Sequence, residues 1–344
     1  MSALIGLSGA TPALRALRLP AAVPEGLASW PDLGELVLTP YLLRALVLMV
    51  VLSVTCGLVS ALVNLRCAEF QAEALVHAVF PGIVAGLAWH GRSGIVPTAF
   101  VVGLGAAGAL TWIGAHRRGE SSEAGTAVVL TSFFSIGLVA LLRVGDRSGQ
   151  LEALMFGRLL EITDERLVQA LVTCGVGALA ALLTWKEEVC LAFDVSAARA
   201  SGLRPGWLDL VLNVAVAAVV VSGASAVGTL LVIGYVVLPG ATGRLLATSV
   251  RGIVLVAVAT GLLGAVVGLA LVTAPTARPV SPQAAIILVM ALGLISAALW
   301  SRWVRRWRGQ RPGQAARPAE VAGSFAGRGS GPADARCVGP RRRG

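Results

Sequence analysis

Charge is scarce in this chain of 344 residues. Asp, Glu, Lys and Arg together make 13% of it, about half the share of an ordinary soluble domain, while hydrophobic residues make 56%. That balance excludes a soluble globular body as the main architecture. A Gly-rich phosphate loop and a Walker sequence are also missing, so whatever energy source the protein uses must come from elsewhere. There is no H-E-x-x-H, which excludes a metalloprotease with two ligating histidines one helical turn apart. The cysteines at 56, 67, 174, 190 and 337 form no C-x-x-C pair, so the sequence supports neither a disulfide nor a zinc ribbon. Cys56 and Cys174 lie within apolar spans and read as small packing residues. A clear signal peptide is lacking too. Arg15 and Arg18 precede "LPAAVPEGLASWP", which prolines interrupt and which is too short to span a bilayer. Residues 1–37 read as a mobile or interfacial extension.

What the chain does have is long apolar runs. They fall at about 41–64, 72–90, 94–115, 122–142, 166–185, 208–223, 225–248, 252–273 and 284–303, and roughly 20 such residues cross a bilayer core as a helix. The fold class is an all-α polytopic membrane protein. Eight or nine spans fit, because the sixth and seventh are separated only at "VSGAS". Small residues crowd the spans, as in "GLLGAVVGLA", and let helix backbones approach closely.

The net charge of +10 is concentrated at one end. From Arg302 onward, eleven arginines stand against only Glu320 and Asp334. Residues 304–344 read as a basic, disordered cytoplasmic tail able to touch anionic lipid, not as a nucleic-acid surface. Arginine placement puts "HRR" at 116–118, the loop from Lys186 to Arg204, Arg251 and "RWVRRWR" on the cytoplasmic side. Nine spans meet this with the amino terminus outside. The segment carrying Arg143, Arg147 and Arg158 then falls outside, against the rule.

Within this apolar frame, "AEFQAEALVHAVFPG" runs acids and an imidazole into the second span. Glu69, Glu73 and His77 recur every four residues and share one helix face. An ionisable group at mid-span costs roughly 2.5–3.5 kcal/mol, so it needs a cavity, a partner or a cargo. Glu69 sits at the edge, either as a solvated flank or paired with Arg66. Glu73 and His77 lie deeper. A carboxylate and an imidazole at i, i+4 can hold one divalent cation, and the pair suits zinc, manganese and iron(II) alike. They can equally be a Glu–His hydrogen bond that serves packing alone. Pro81 has no N–H for the carbonyl of His77 and predicts a kink there; Pro239 does the same for the carbonyl of Tyr235.

The loop "KEEVCLAFDVSAARASGLRPG" predicts a short helix capped by Asp194 and ended by Gly202. It is either a docking element facing the cytoplasm or an ordinary connection.

Five segments in order resemble the membrane permease subunit of ATP-binding-cassette importers for manganese, zinc or iron. His77, Ala78, Pro81 and Gly82 match the opening of that family's second span, with Glu73 where the family has Asp. Glu123 and Gly125 match its next acidic-Gly entry. "LEALMFGRLLEIT" resembles its Leu-Phe-Gly loop. Asp194, Ala198, Arg199 and Gly202 match its coupling segment, and Val227, Gly228, Pro239 and Arg244 a later span. The resemblance covers about residues 38–303. It implies a non-enzymatic permease without a permanently bound cofactor, carrying a divalent metal ion as cargo. Glu73 and His77 would line the metal path, and 194–206 would be the short cytoplasmic coupling helix for separate ATPase subunits. An extracytoplasmic metal-binding protein and a second permease subunit would complete the assembly. The alternatives are a permease of related architecture for iron chelates or cobalamin-type ligands, an intramembrane enzyme using Glu73 and His77 as acid and base, and a channel or carrier working alone.

Overall fold

A computed structural model of the chain describes residues 40–116, 120–144, 157, 163–273 and 281–308. The extension at 1–37 and most of the tail lie outside the described residues, as does all of the Leu-Phe-Gly segment except Gly157 and Thr163. Twelve α-helices occur among the described residues. They are α1 (Pro40–Leu65), α2 (Glu69–Ala78), α3 (Phe80–His90), α4 (Ile95–His116), α5 (Glu120–Val144), α6 (Asp164–Leu183), α7 (Trp185–Phe193), α8 (Val195–Ala200), α9 (Pro205–Ala226), α10 (Thr229–Leu246), α11 (Val250–Thr273) and α12 (Pro282–Arg308). Helices α2 and α3 form one broken span, α7 and α8 are too short to cross, and the other eight helices bring the total to nine spans among the described residues.

Spans six and seven are therefore two helices. Their boundary lies at Val227–Gly228, not at "VSGAS". Gly228 has φ +100°, a conformation closed to residues with a Cβ, so the chain turns there while Ser222–Ala226 stays helical. The backbone of Gly157 lies directly on this joint: a Cβ on Gly157 would overlap the Val227 carbonyl.

Burial separates a centre from a rim. In α9, 72% of the spanning window is buried, and in α1, 67%; in α5, α6 and α12 the share is 22% each. The sequence of α9 explains its place. Ala215, Ala217, Ala218, Ser222, Gly223 and Ala224 let α6 and α10 come close. The core joins α1, α9 and α10 through residues such as Leu48, Leu52, Val219 and Tyr235, all fully buried.

Helix α10 contains Pro239, which cannot donate to the Tyr235 carbonyl. Here α1 supplies polar partners: the Gly240 N–H donates to Ser60 Oγ at 2.8 Å, and Asn64 Nδ2 to the Val237 carbonyl at 3.3 Å. Without water, backbone groups released from a helix need such partners. Arg244 then donates to the Asn64 carbonyl at 2.8 Å and caps the end of α1.

Candidate functional site

The α2–α3 span divides its residues sharply. Ala72, Ala74, Leu75, Val76 and Ala78 are buried against the bundle. Glu73 is exposed, and Glu69, His77 and Pro81 are half-buried. The polar stripe thus faces outward from the protomer. The helix is interrupted at Val79, whose carbonyl receives the N–H groups of both Gly82 (3.0 Å) and Ile83 (3.2 Å). Two neighbours hold this joint. On one side Thr98 Oγ1 donates to the Gly82 carbonyl at 2.8 Å. On the other, α5 approaches at Gly137, where a Cβ would stand 2.6 Å from Phe80 Cδ1 and 2.9 Å from the Pro81 nitrogen. Pro81 is therefore clamped between α4 and α5.

The His77 ring meets the edge of Phe134 on α5, with centroids 5.5 Å apart and planes at 82°. Phe134 in turn contacts Phe80 at 5.5 Å. The imidazole thus packs against an aromatic pair on α3 and α5. Near Phe134, α5 exposes Ser132 and Ser135, and one turn earlier Thr131, whose hydroxyl returns to the Ala127 carbonyl at 2.9 Å. Sequence reading passed over these hydroxyls. Their signal was polar residues at i, i+1 and i+4 in an otherwise apolar span. Glu123, in the first turns of α5, is also exposed. Among the described residues, no three His, Cys, Asp or Glu side chains of one protomer converge as a metal cage. Glu73 and His77 offer two donor groups, and a bound divalent ion takes four or more.

At the other candidate region the chain is fully folded on itself. Asp194 Oδ1 accepts from the Ser196 N–H (2.8 Å), the Ala197 N–H (3.0 Å) and Ser196 Oγ (2.6 Å). The Ser196 hydroxyl and these two N–H groups hold the Asp194 carboxyl below its usual range. At the far end Gly202 has φ +83°. Its N–H goes to the Arg199 carbonyl and the Leu203 N–H to the Ala198 carbonyl, at 3.0 and 3.1 Å, a helix stop that requires the left-handed residue. Ala198 is fully buried with Leu191 and Leu208, and Leu203 packs on them. Arg199 points outward. Around it Phe193 and Trp207 are 72% and 62% exposed, an apolar rim that sequence reading did not single out.

A third feature was missed. Arg66 follows α1, and it does not pair with Glu69. Its Nη1 donates to Glu188 Oε2 on α7 at 2.5 Å, and its Nη2 bonds Asp209 Oδ1 on α9. Glu188 is fully buried, and its Oε1 has no hydrogen-bond partner among the described residues. Burial pushes the Glu188 carboxyl up to about 7 against the lowering effect of Arg66. In sequence Arg66 lies 122 positions from Glu188 and 143 from Asp209, so no spacing could have joined it to them.

A family model described as the ABC 3 transport family matches residues 39–301, and the chain belongs to that family. It is 30% identical over 233 residues to the chelated iron transport system membrane protein YfeC of Yersinia pestis, covering 66% of this chain and 77% of that one. Against the manganese transport system membrane protein MntB of Synechocystis sp. it is 28% identical over 239 residues, covering 70% and 77%. Its fold is that of a solved structure, PsaBC from Streptococcus pneumoniae in complex with Fab. The TM-score is 0.66 at 24% identity, over 77% of this chain and 93% of that chain. The protein is accordingly a multi-pass, non-enzymatic subunit of the cell membrane.

Proposed function

We propose that this chain carries a divalent transition-metal ion (manganese, zinc or iron) into the cell by alternating access, driven by separate ATPase subunits. The observation that supports this most is the placement of Glu73 and His77, one turn apart on the outward face of a membrane-spanning helix. A carboxylate facing lipid is expensive, so that face meets a second permease subunit. Two copies bring two carboxylates and two imidazoles to one axis, a donor set suited to these ions. Partial hydration and few protein ligands keep binding weak enough for release.

Helix α8, with Asp194, Ala198, Arg199 and Gly202, is where the ATPase subunits dock from the cytoplasm. An extracytoplasmic metal-binding protein delivers the ion. Pro81 and Pro239 mark the bends in the two spans that change shape. The transmembrane domain runs from 38 to about 303, flanked by the extension and the basic tail. The names of the relatives, for manganese and for chelated iron, agree with a metal cargo. A large chelate or a cobalamin-type ligand, the second reading, has no use for a bare Glu–His pair.

The test is uptake by the complex reconstituted in vesicles with its ATPase and binding protein. ATP-dependent accumulation of one of the three ions, lost in His77→Ala, supports the reading. Uptake unchanged in His77→Ala, or ion movement by the purified chain alone without nucleotide, defeats it.

A further inference from the structure

Arg66 stands at the junction of two machines. Three residues after it begins α2, which carries Glu73 and His77. Its guanidinium reaches away from α2 to Glu188 and Asp209. Both acceptors belong to the other region. Glu188 lies in α7, which runs directly into Asp194 and α8, and Asp209 lies in the first turns of α9, which leaves α8 through Leu203 and Arg204. The Leu191–Ala198–Leu208 cluster locks α7, α8 and the start of α9 into one unit. Among the described residues, the ion pairs of Arg66 are the charged links between that unit and the α1–α2 joint.

The geometry suits transmission more than stability. A buried ion pair recovers its desolvation cost poorly, and one with an unpaired oxygen recovers it worse. Among the described residues, Glu188 leaves Oε1 without a partner at zero exposure. What a planar guanidinium bound at two points does supply is fixed direction. A displacement of α7 or of the start of α9 moves Arg66 and therefore the entry of α2.

We propose that Arg66, Glu188 and Asp209 are positioning residues that couple movement of the α8 docking unit to the metal-bearing helix α2. The proposal rests on the transport reading above, and its test separates the two. Manganese(II) uptake and ATP hydrolysis are measured together in vesicles holding the full complex, for wild type and for R66A, E188Q and D209N. Each variant is checked for assembly with the ATPase and for manganese binding. In R66A, uptake falls while hydrolysis continues, and ATP consumed per ion rises by about tenfold, the scale of a typical coupling energy. E188Q and D209N, which keep shape and remove one charge each, raise the ratio less. The exchanged pair R66E/E188R recovers part of the lost coupling. Manganese affinity stays at the wild-type value, since Glu73 and His77 are intact.

Should uptake and hydrolysis fall in proportion in assembled E188Q and D209N, with the ratio of ATP to ion unchanged, the cluster is only structural and the proposal is overturned. If R66A fails to assemble, those two variants decide. A wild-type complex that hydrolyses ATP without moving manganese, zinc or iron defeats the transport reading, and this inference with it.

Discussion

The α7–α8 unit and the outward face of α2 sit at opposite extremes of completeness. In the first, every terminal group of α8 that matters is satisfied from within ten residues: Asp194 closes its start, and Gly202 and Leu203 its end. A small apolar cluster holds it. In the second, the helix is well supported from behind, by Thr98, Gly137 and Phe134, but its ionisable side chains, Glu73 above all, face outward. A preformed surface suits docking of a rigid partner, since little ordering is left to be done on binding. Under the proposed function, a half-made ligand set suits a path that opens and closes, because the ion would be held only while two halves meet.

The largest expected effect breaks the incomplete half. Glu73→Ala or His77→Ala lowers metal uptake by about a hundredfold, the scale of losing a charged ligand group. The melting temperature of the purified chain changes little, as outward-facing substitutions usually alter stability by within about 0.5 kcal/mol. A large loss of melting temperature would assign the pair to packing instead.

The next concerns the support behind it. Gly137→Ala places a methyl against the Pro81 backbone, which cannot yield as a flexible side chain would. Overpacking of this kind costs about 1–3 kcal/mol. The same change at Gly105 inside α4, where an added Cβ meets nothing within 4 Å, leaves melting unaltered or raises it slightly, since Ala favours a helix interior over Gly by about 0.5–1 kcal/mol. Equal melting temperatures for the two variants would show that the clamp on the α2–α3 joint is slack.

At the docking unit, Asp194→Ala removes the acceptor of two N–H groups. ATPase binding by the solubilised permease weakens by roughly fivefold, the scale of a lost cap, and Asp194→Asn retains most of it. Unchanged binding in both variants would move the docking surface elsewhere.

The smallest effect is a pH dependence. The folded chain holds the Glu188 proton more tightly than an unfolded chain does, with the group raised from 4.5 to about 7. Its contribution therefore favours the fold fully below pH of about 4.5 and is lost as pH rises through about 7. Between those values the wild-type melting temperature should fall relative to that of Glu188→Gln, which does not titrate. Parallel curves for the two would place the titrating group elsewhere.

Much of this could be read before any coordinates. The spans, the i, i+4 spacing of Glu69, Glu73 and His77, and the caps at Asp194 and Gly202 are local, and local periodicity and turn chemistry are written in the sequence. The boundary at Val227–Gly228 begins two residues beyond the end of "VSGAS". Small polar residues look alike in a helix and a loop, and only the positive φ of Gly228 marks the turn.

Amino-acid sequence by itself determined that the protein is a helical membrane bundle, that one span carries a carboxylate and an imidazole on a single face, and that a short capped helix interrupts the spans. Those follow from hydropathy and from interactions reaching four residues along the chain. Tertiary structure alone decided which way the polar face points, that Gly137 and Thr98 clamp the Pro81 joint, and that Arg66 serves Glu188 and Asp209 rather than Glu69. Such outcomes depend on which helices pack together, and a guanidinium chooses among carboxylates by proximity in space, not by distance along the chain.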